Sequence, residues 1–375
     1  MSENQPSRRS HAAWPLALVT VALPLVAALV VSGCTAEGDT PGPDDPTIPA
    51  QDAPVKFLSM GTAPIGGTFP IVGDAIAQTL NNHKGDINWK VQAKGTKGSQ
   101  ANIRGLDSGT LELALSNSAI SYFAVRGEST WDKTYDIRAV VTMAPNVAMF
   151  VTKADSGIKS IADLKGKRVV IGPAGAGFEM FVGPILEEHG VTFDDFTKLN
   201  SPMGPAVDLL GDGDADAAFL GGAVPAAAIS QAASSFDIVF VPFDPDVRET
   251  LIEKYPFFNG VTVPAETYPG QEEDYAGLNV GSMHVITSAS VDEDLVYQVT
   301  KSIWENRADV AAKHGAGKAI NPKNAARYTG TDFHPGAIKF YEESGIWPKA
   351  EGDAPAEEPA ADKPVDEPAE DAPAE

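Results

Sequence analysis

The sequence predicts an α/β protein of two lobes, each a mainly parallel sheet flanked by helices. Three observations point there. Strand-like and helix-like segments alternate from about residue 54 to 350, the signature of repeated βα units. Glycine-rich turns repeatedly lead from the end of a strand into a helix. The alternation falls into two runs, before and after about residue 145.

The elements follow in order. Residues 55–60 (VKFLSM) read as a first strand, and 68–82 as a helix with Phe69, Val72, Ala75, Ile76 and Leu80 on one stripe. Residues 87–94 alternate as a strand, 99–106 return as helix, and 111–116 form a short strand. Two apolar strands are expected at 138–143 and 147–152, a short helix at 161–164, and a strand at 168–171. Residues 178–189 are helical up to Gly190, a helix-ending glycine. A helix at 205–210, a strand at 217–220, an alanine-rich helix at 224–233 and a strand at 238–241 complete the second run. A strand at 280–287 and helices at 295–306 and 335–343 close the chain and pack back on the first lobe. The division is 54–145 plus about 275–350 for lobe 1, and 146–274 for lobe 2.

The ends read differently. Arg8 and Arg9 precede an uncharged apolar run over 14–31, which ends in Ser32-Gly33-Cys34. A basic head, an apolar stretch and small residues before a cut site describe an export signal over 1–33. Cys34 is the only cysteine of the chain and stands where a lipoprotein signal needs its thiol. The competing reading of 14–31 is an uncleaved membrane anchor, and both place the rest of the chain outside the membrane that tethers it. Ordinary secretion is expected over the twin-arginine route. Residues 34–53 are polar, acidic and proline-rich, a flexible stalk. Residues 351–375 carry ten acids and one lysine among alanine and proline, too little apolar surface to order, and are expected to be a disordered acidic tail.

Charge and motifs narrow the function. With 28 Lys+Arg against 51 Asp+Glu the net charge is −23, which argues against nucleic acid as a partner. A single cysteine allows no intrachain disulfide and no CxxC zinc site. No two of the six histidines have metal-ligand spacing, and there is no G-x-S-x-G. No catalytic group, metal or cofactor is expected. Residues 61–69 (GTAPIGGTF) mimic a Walker A loop, but Gly67 stands at the lysine position, so nothing would reach the β- and γ-phosphates. What remains is a set of backbone N–H groups at a helix start, an anion-holding device, or a tight turn needing glycine. Residues 95–102 (GTKGSQAN), 116–118 (SNS), 172–177 (GPAGAG) and 221–225 (GGAVP) are further strand-end loops. The 172–177 loop lacks the G-x-G-x-x-G order of a dinucleotide site. Together these loops predict a cleft of N–H and O–H donors at the carboxyl ends of the strands, suited to a small carboxylate.

As a set the motifs resemble those of TAXI-type solute-binding proteins, the extracytoplasmic components of TRAP transporters. MGTAPIGGTFPIVG (60–73), GTKGSQANIRGLDSG (95–109), SGIKSIADLKGKRVVIGPAGAGFEM (156–180) and GDADAAFLGGAVPAAAI (213–229) match in order, followed by YPFF, TYPGQ and VYQVTKSIWEN. The resemblance implies a type II periplasmic-binding fold whose lobes close on a ligand and deliver it to a TRAP membrane permease. It implies a monomer, and a small organic anion as ligand, a glutamate-like amino acid or dicarboxylate. Its contact residues carry over to Thr62, Gly66, Gly67, Thr68, Ser99, Asn102, Asn117, Ser118, Gly175, Ala176, Gly177 and Gly222. Two departures stand out: Ala176 replaces a usual serine, and Ser118 a usual carboxylate, which would favour a ligand without an ammonium group. An ABC-importer binding protein, a ligand-sensing lipoprotein and a transferase on the same fold are the alternatives.

Overall fold

The first half of the chain lays down β1 (Lys56–Gly61), α1 (Thr68–Asn82), β2 (Trp89–Lys94), α2 (Ser99–Asp107), β3 (Leu113–Asn117) and α3 (Ser118–Arg126) in a computed structural model that describes residues 54–65 and 67–347. β1 pairs in parallel with both β2 and β3. β2 buries Trp89 and Val91 and exposes Lys90 and Gln92, the alternation of an edge strand with one covered face. β3 is buried at every position because it lies between β1 and a later strand of residues 275–288. In α1 the buried residues Val72, Ala75, Ile76, Thr79 and Leu80 recur every three or four positions, so the helix lies on the sheet by one stripe.

The chain then crosses to a second sheet. β4 (Ile137–Ala148) runs through Pro145, and β5 (Phe150–Lys153) begins two residues after it ends. The second sheet adds β6 (Arg168–Gly172), α4 (Glu179–Glu188), β7 (Thr197–Asn200), α5 (Met203–Asp212), β8 (Ala217–Phe219), α6 (Ala227–Ser235), β9 (Ile238–Val241) and α7 (Pro245–Lys254). Its strand order is β7-β6-β8-β5-β9. The short turns before β6 and β7 start on capping boxes, Ser160 with Asp163 and Thr192 with Asp195. Arg168 and Asp216 tie β6 to the loop before β8 through a two-pronged ion pair of 2.6 and 3.1 Å.

The return runs through β10 (Phe258–Val263) and β11 (Tyr275–Ser288) to α8 (Glu293–Glu305), α9 (Arg307–Lys313) and α10 (Pro335–Glu343). β10 pairs with β11, so residues 258–263 join the first sheet, whose order is β10-β11-β3-β1-β2 with β4 also on β11. Both sheets are therefore mixed rather than mainly parallel. Each holds a parallel run of three strands, β2-β1-β3 and β7-β6-β8, and antiparallel strands where the chain crosses between the sheets. In the first sheet the antiparallel part comes from β11, which runs against β3, β4 and β10, and in the second from β5, which runs against β8 and β9.

β1 and β3 show how two cores share one sheet. Leu113 and Leu115 face a core built with α1, α8 and α10, while Ala114 between them faces a second core. That second core continues from α2 and α3 past Phe257 and Phe258 into the second sheet. The expected signal, Cys34, the stalk and the acidic tail lie outside the described residues.

Candidate functional site

A cavity of about 390 Å³ lies where the carboxyl ends of the parallel strands of both sheets converge. The first sheet contributes the starts of α1 (Gly67, Thr68, Phe69) and α2 (Gly98, Ser99), Asn117 at the end of β3, and Asn146 on β4. The second contributes Ala176, Phe178 and Phe181 near the start of α4, Met203 of α5, Phe219 of β8, Gly222, and the start of α6 at Ala226 to Ala228.

The polar floor is held by one node. Gly281 sits at φ +108° in an irregularity of the β4–β11 pairing, where Ser282 meets Pro145. Pro145 has no N–H to give to the ladder, so the register shifts there. The freed Gly281 carbonyl accepts from Asn117 Nδ2 at 3.1 Å and from Asn146 Nδ2 at 2.7 Å. Asn117 also donates to the Val280 carbonyl, and its Oδ1 accepts the Ala119 N–H at 2.8 Å, capping α3. Both the nitrogen and the oxygen of the Asn117 amide group are thus engaged with backbone. Ser99 Oγ accepts from the Asn117 N–H at 3.0 Å, which leaves its own proton available to the cavity.

Apart from α3, which Asn117 caps, the helix starts at the cavity have a common feature. α1 and α2 begin after glycine N-caps, Gly67 and Gly98, with no side chain on their first N–H groups, and α4, α5 and α6 also lack side-chain caps. By contrast α7, α8 and α10, away from the cavity, are capped by Asp244, Asp292 and His334. Free N–H groups with the positive ends of helix dipoles hold anions. Among the residues lining the cavity Lys97 is the one with a fixed charge. Its ammonium makes no ion pair among the described residues. His314 also lines the wall, and burial lowers its pKa, so it is held neutral.

Of the residues singled out in the sequence, Gly67, Thr68, Ser99, Asn117, Ala176 and Gly222 line the cavity. Thr62, Asn102, Ser118, Gly175 and Gly177 are not on its wall. Thr62 spends its hydroxyl on the Lys94 carbonyl at 2.9 Å. Asn102 is buried and donates to the carbonyls of Thr62 and Leu115 at 2.7 and 2.8 Å, tying the loop that follows β1 to β3 itself. Ser118 is fully buried with its hydroxyl unpartnered. Gly177 backs onto Ile120, and Gly175 is exposed at φ +74°. Gly66 lies outside the described residues. Arg104 pairs with Asp132, and Arg126 stacks on Tyr122, so neither guanidinium reaches the cavity.

Sequence reasoning missed Asn146, Lys97 and the aromatic side of the wall. Asn146 had a signal, an amide inside an apolar strand beside a proline. Phe178 and Phe219 stand in quoted motifs, but nothing in a sequence separates a cavity phenylalanine from a core one. Ser121 and His284 are hydrogen-bonded at 2.8 Å, yet both are fully buried away from the cavity. Among the described residues no group of three or more His, Cys, Asp or Glu could hold a metal ion.

A two-sheet α/β chain with a cavity at converging strand ends is built to enclose a small molecule. The chain belongs to the NMT1-like family, whose profile matches residues 60–345. Solved structures similar to it include solute-binding proteins and the effector binding domain of a BenM variant. The aliphatic sulphonate binding protein SsuA from Escherichia coli is 14% identical, covering 72% of this chain and 82% of its own, with a TM-score of 0.37. PhnD1 from Prochlorococcus marinus, solved in complex with methylphosphonate, is 12% identical over 78% and 97%, with a TM-score of 0.48. A TctC solute binding protein from Polaromonas is 14% identical over 77% and 94%, with a TM-score of 0.41.

Proposed function

We propose that this protein is an extracytoplasmic, lipid-anchored solute-binding protein that captures a small organic anion between two lobes and delivers it to a TRAP permease. The observation that carries the reading is the pair of glycine-capped helix starts, α1 and α2, opening side by side on one cavity between two sheets. Their unused N–H groups, the Thr68 and Ser99 hydroxyls and Lys97 form an anion site of dipoles with one cation. Lobe 1 is 54–145 with about 275–350, and lobe 2 is 146–274, from which the end of β4 and β10 extend the first sheet; β4 and β11 link the lobes.

Ligand touching both walls stabilises the closed arrangement, and the permease reads that state. Gly67, Thr68, Ser99, Ala176 and Gly222 are the contacts, with Asn117 as floor. Thr62 and Asn102 hold the loops from behind, and Ser118, Gly175 and Gly177 shape the strand ends. Export through the 1–33 signal and attachment at Cys34 keep the protein beside its permease. It works as a monomer without cofactor or catalysis. The identity of the permease rests on the motif resemblance alone.

Small-angle scattering with and without solute, after the solute co-purifying with the protein has been named by mass spectrometry, tests the reading. Solute should reduce the radius of gyration and raise the melting temperature. An unchanged radius with a saturated site would sink the closing mechanism. Incorporation of labelled palmitate, lost in Cys34→Ala, tests the anchor.

A further inference from the structure

The two walls of the cavity are chemically unequal. Every polar side chain that lines it, Thr68, Lys97, Ser99, Asn117, Asn146 and His314, comes from the first sheet or the helices around it. Every residue contributed by the second sheet and its helices is apolar, proline or glycine. The apolar wall is ordered by ring packing: Phe178, Phe181 and Phe219 lie 5.3 to 5.8 Å apart, centroid to centroid. Phe178 is held against Gly172, where any side chain would collide with the ring. At the mouth, Ile65 and Ile71 line the cavity while 94% and 50% exposed, apolar surface that a matching ligand would cover.

Charge completes the argument. No aspartate, glutamate or arginine lines the cavity. An α-ammonium group enclosed here would lack a carboxylate, and an unpaired buried charge is strongly disfavoured. A second carboxylate at the far end would leave water for phenylalanine rings and alanine side chains.

Resting on the anion-capture reading above, we infer that the solute is a singly charged organic acid with an apolar body. Its acid group sits at the α1 and α2 starts beside Lys97, and its aryl or branched alkyl body lies on Phe178, Phe219 and Met203. Glutamate-like amino acids and dicarboxylates are the poorer ligands.

Calorimetric titration of the full-length protein in detergent, dialysed free of small acids, tests this. The probes are 3-phenylpropionate, octanoate, 3-phenylpropionamide, glutamate and succinate. At least one of the two apolar acids should bind tenfold or more tighter than glutamate and succinate, and 3-phenylpropionamide at least tenfold weaker than 3-phenylpropionate. Tighter binding of glutamate or succinate overturns the inference and leaves anion capture standing. An amide that binds as tightly as its acid overturns anion capture itself. Absence of binding by both apolar acids also overturns the inference. Phe178→Ala should cost the aryl acid about tenfold in affinity without lowering the melting temperature of the ligand-free protein by more than a few degrees. Unchanged affinity would overturn the placement of the body on the second wall.

Discussion

Asn117 was legible in the sequence as a polar residue at a strand end, but its role changes once its partners are known. It joins α3, β11 and the cavity floor through three backbone hydrogen bonds. Asn117→Ala leaves the Ala119 N–H and the Val280 carbonyl unpaired and should cost about 2–3 kcal/mol, read by urea denaturation. His284 makes a second prediction. It is fully buried, and burial alone pushes its pKa down to about 3. Between about pH 6.5 and 3 the unfolded chain binds a proton that the native protein refuses, so stability falls as pH falls through that window. The folding equilibrium should lose roughly tenfold per pH unit from this group, with His314 and His334 acting in the same direction because burial also lowers their pKa values. Denaturation at pH 7, 6, 5 and 4 should show a shallower acid limb in His284→Asn; an unchanged slope refutes the assignment.

At the scale of elements, most segments were readable, the short buried β3 and β8 among them, while α3, β7, α7, β10 and α9 were not. α1, β2, α8 and α10 stand within a few residues of where their patterns put them. α3 was not recognised because SAISYFAVR buries six of its nine residues, which removes the polar face that marks a helix. β7 has four mostly exposed residues and no alternation. The break between two strands was expected at 144–146, around Pro145, but β4 runs through the proline to Ala148 and its pairing with β11 absorbs it by a register shift, so that β5 starts only at Phe150. That irregularity depends on Gly281, where a Cβ would run into Asn117 Oδ1 and the Ala119 N–H. Gly281→Ala should therefore destabilise by about 3 kcal/mol. Gly204→Ala, in α5 with nothing near its Cβ position, should stabilise by up to about 1 kcal/mol. Thermal melts of the two variants check both signs.

At the scale of the molecule, the proposed anionic ligand has to reach its site in a chain whose net charge is −23. The overall field repels the ligand, while helix dipoles and Lys97 attract it at short range. Salt screens the first more than the second. The association rate for an anionic solute should rise severalfold between about 20 and 300 mM salt. Stopped-flow fluorescence measures it, and a falling rate would mean that local attraction already governs the approach.

The sequence by itself determined the α/β class and the loops at which a ligand site would open. These depend on local periods and on glycine spacing, all readable along the chain. Only the tertiary structure decided which of those loops share a wall. It placed Thr62 and Asn102 behind the site, brought Asn146 and Lys97 to it, and set an apolar wall of phenylalanines opposite the donors. The reason is physical: a phenylalanine has the same chemistry in a core and in a cavity, and only long-range packing determines which of the two it lines.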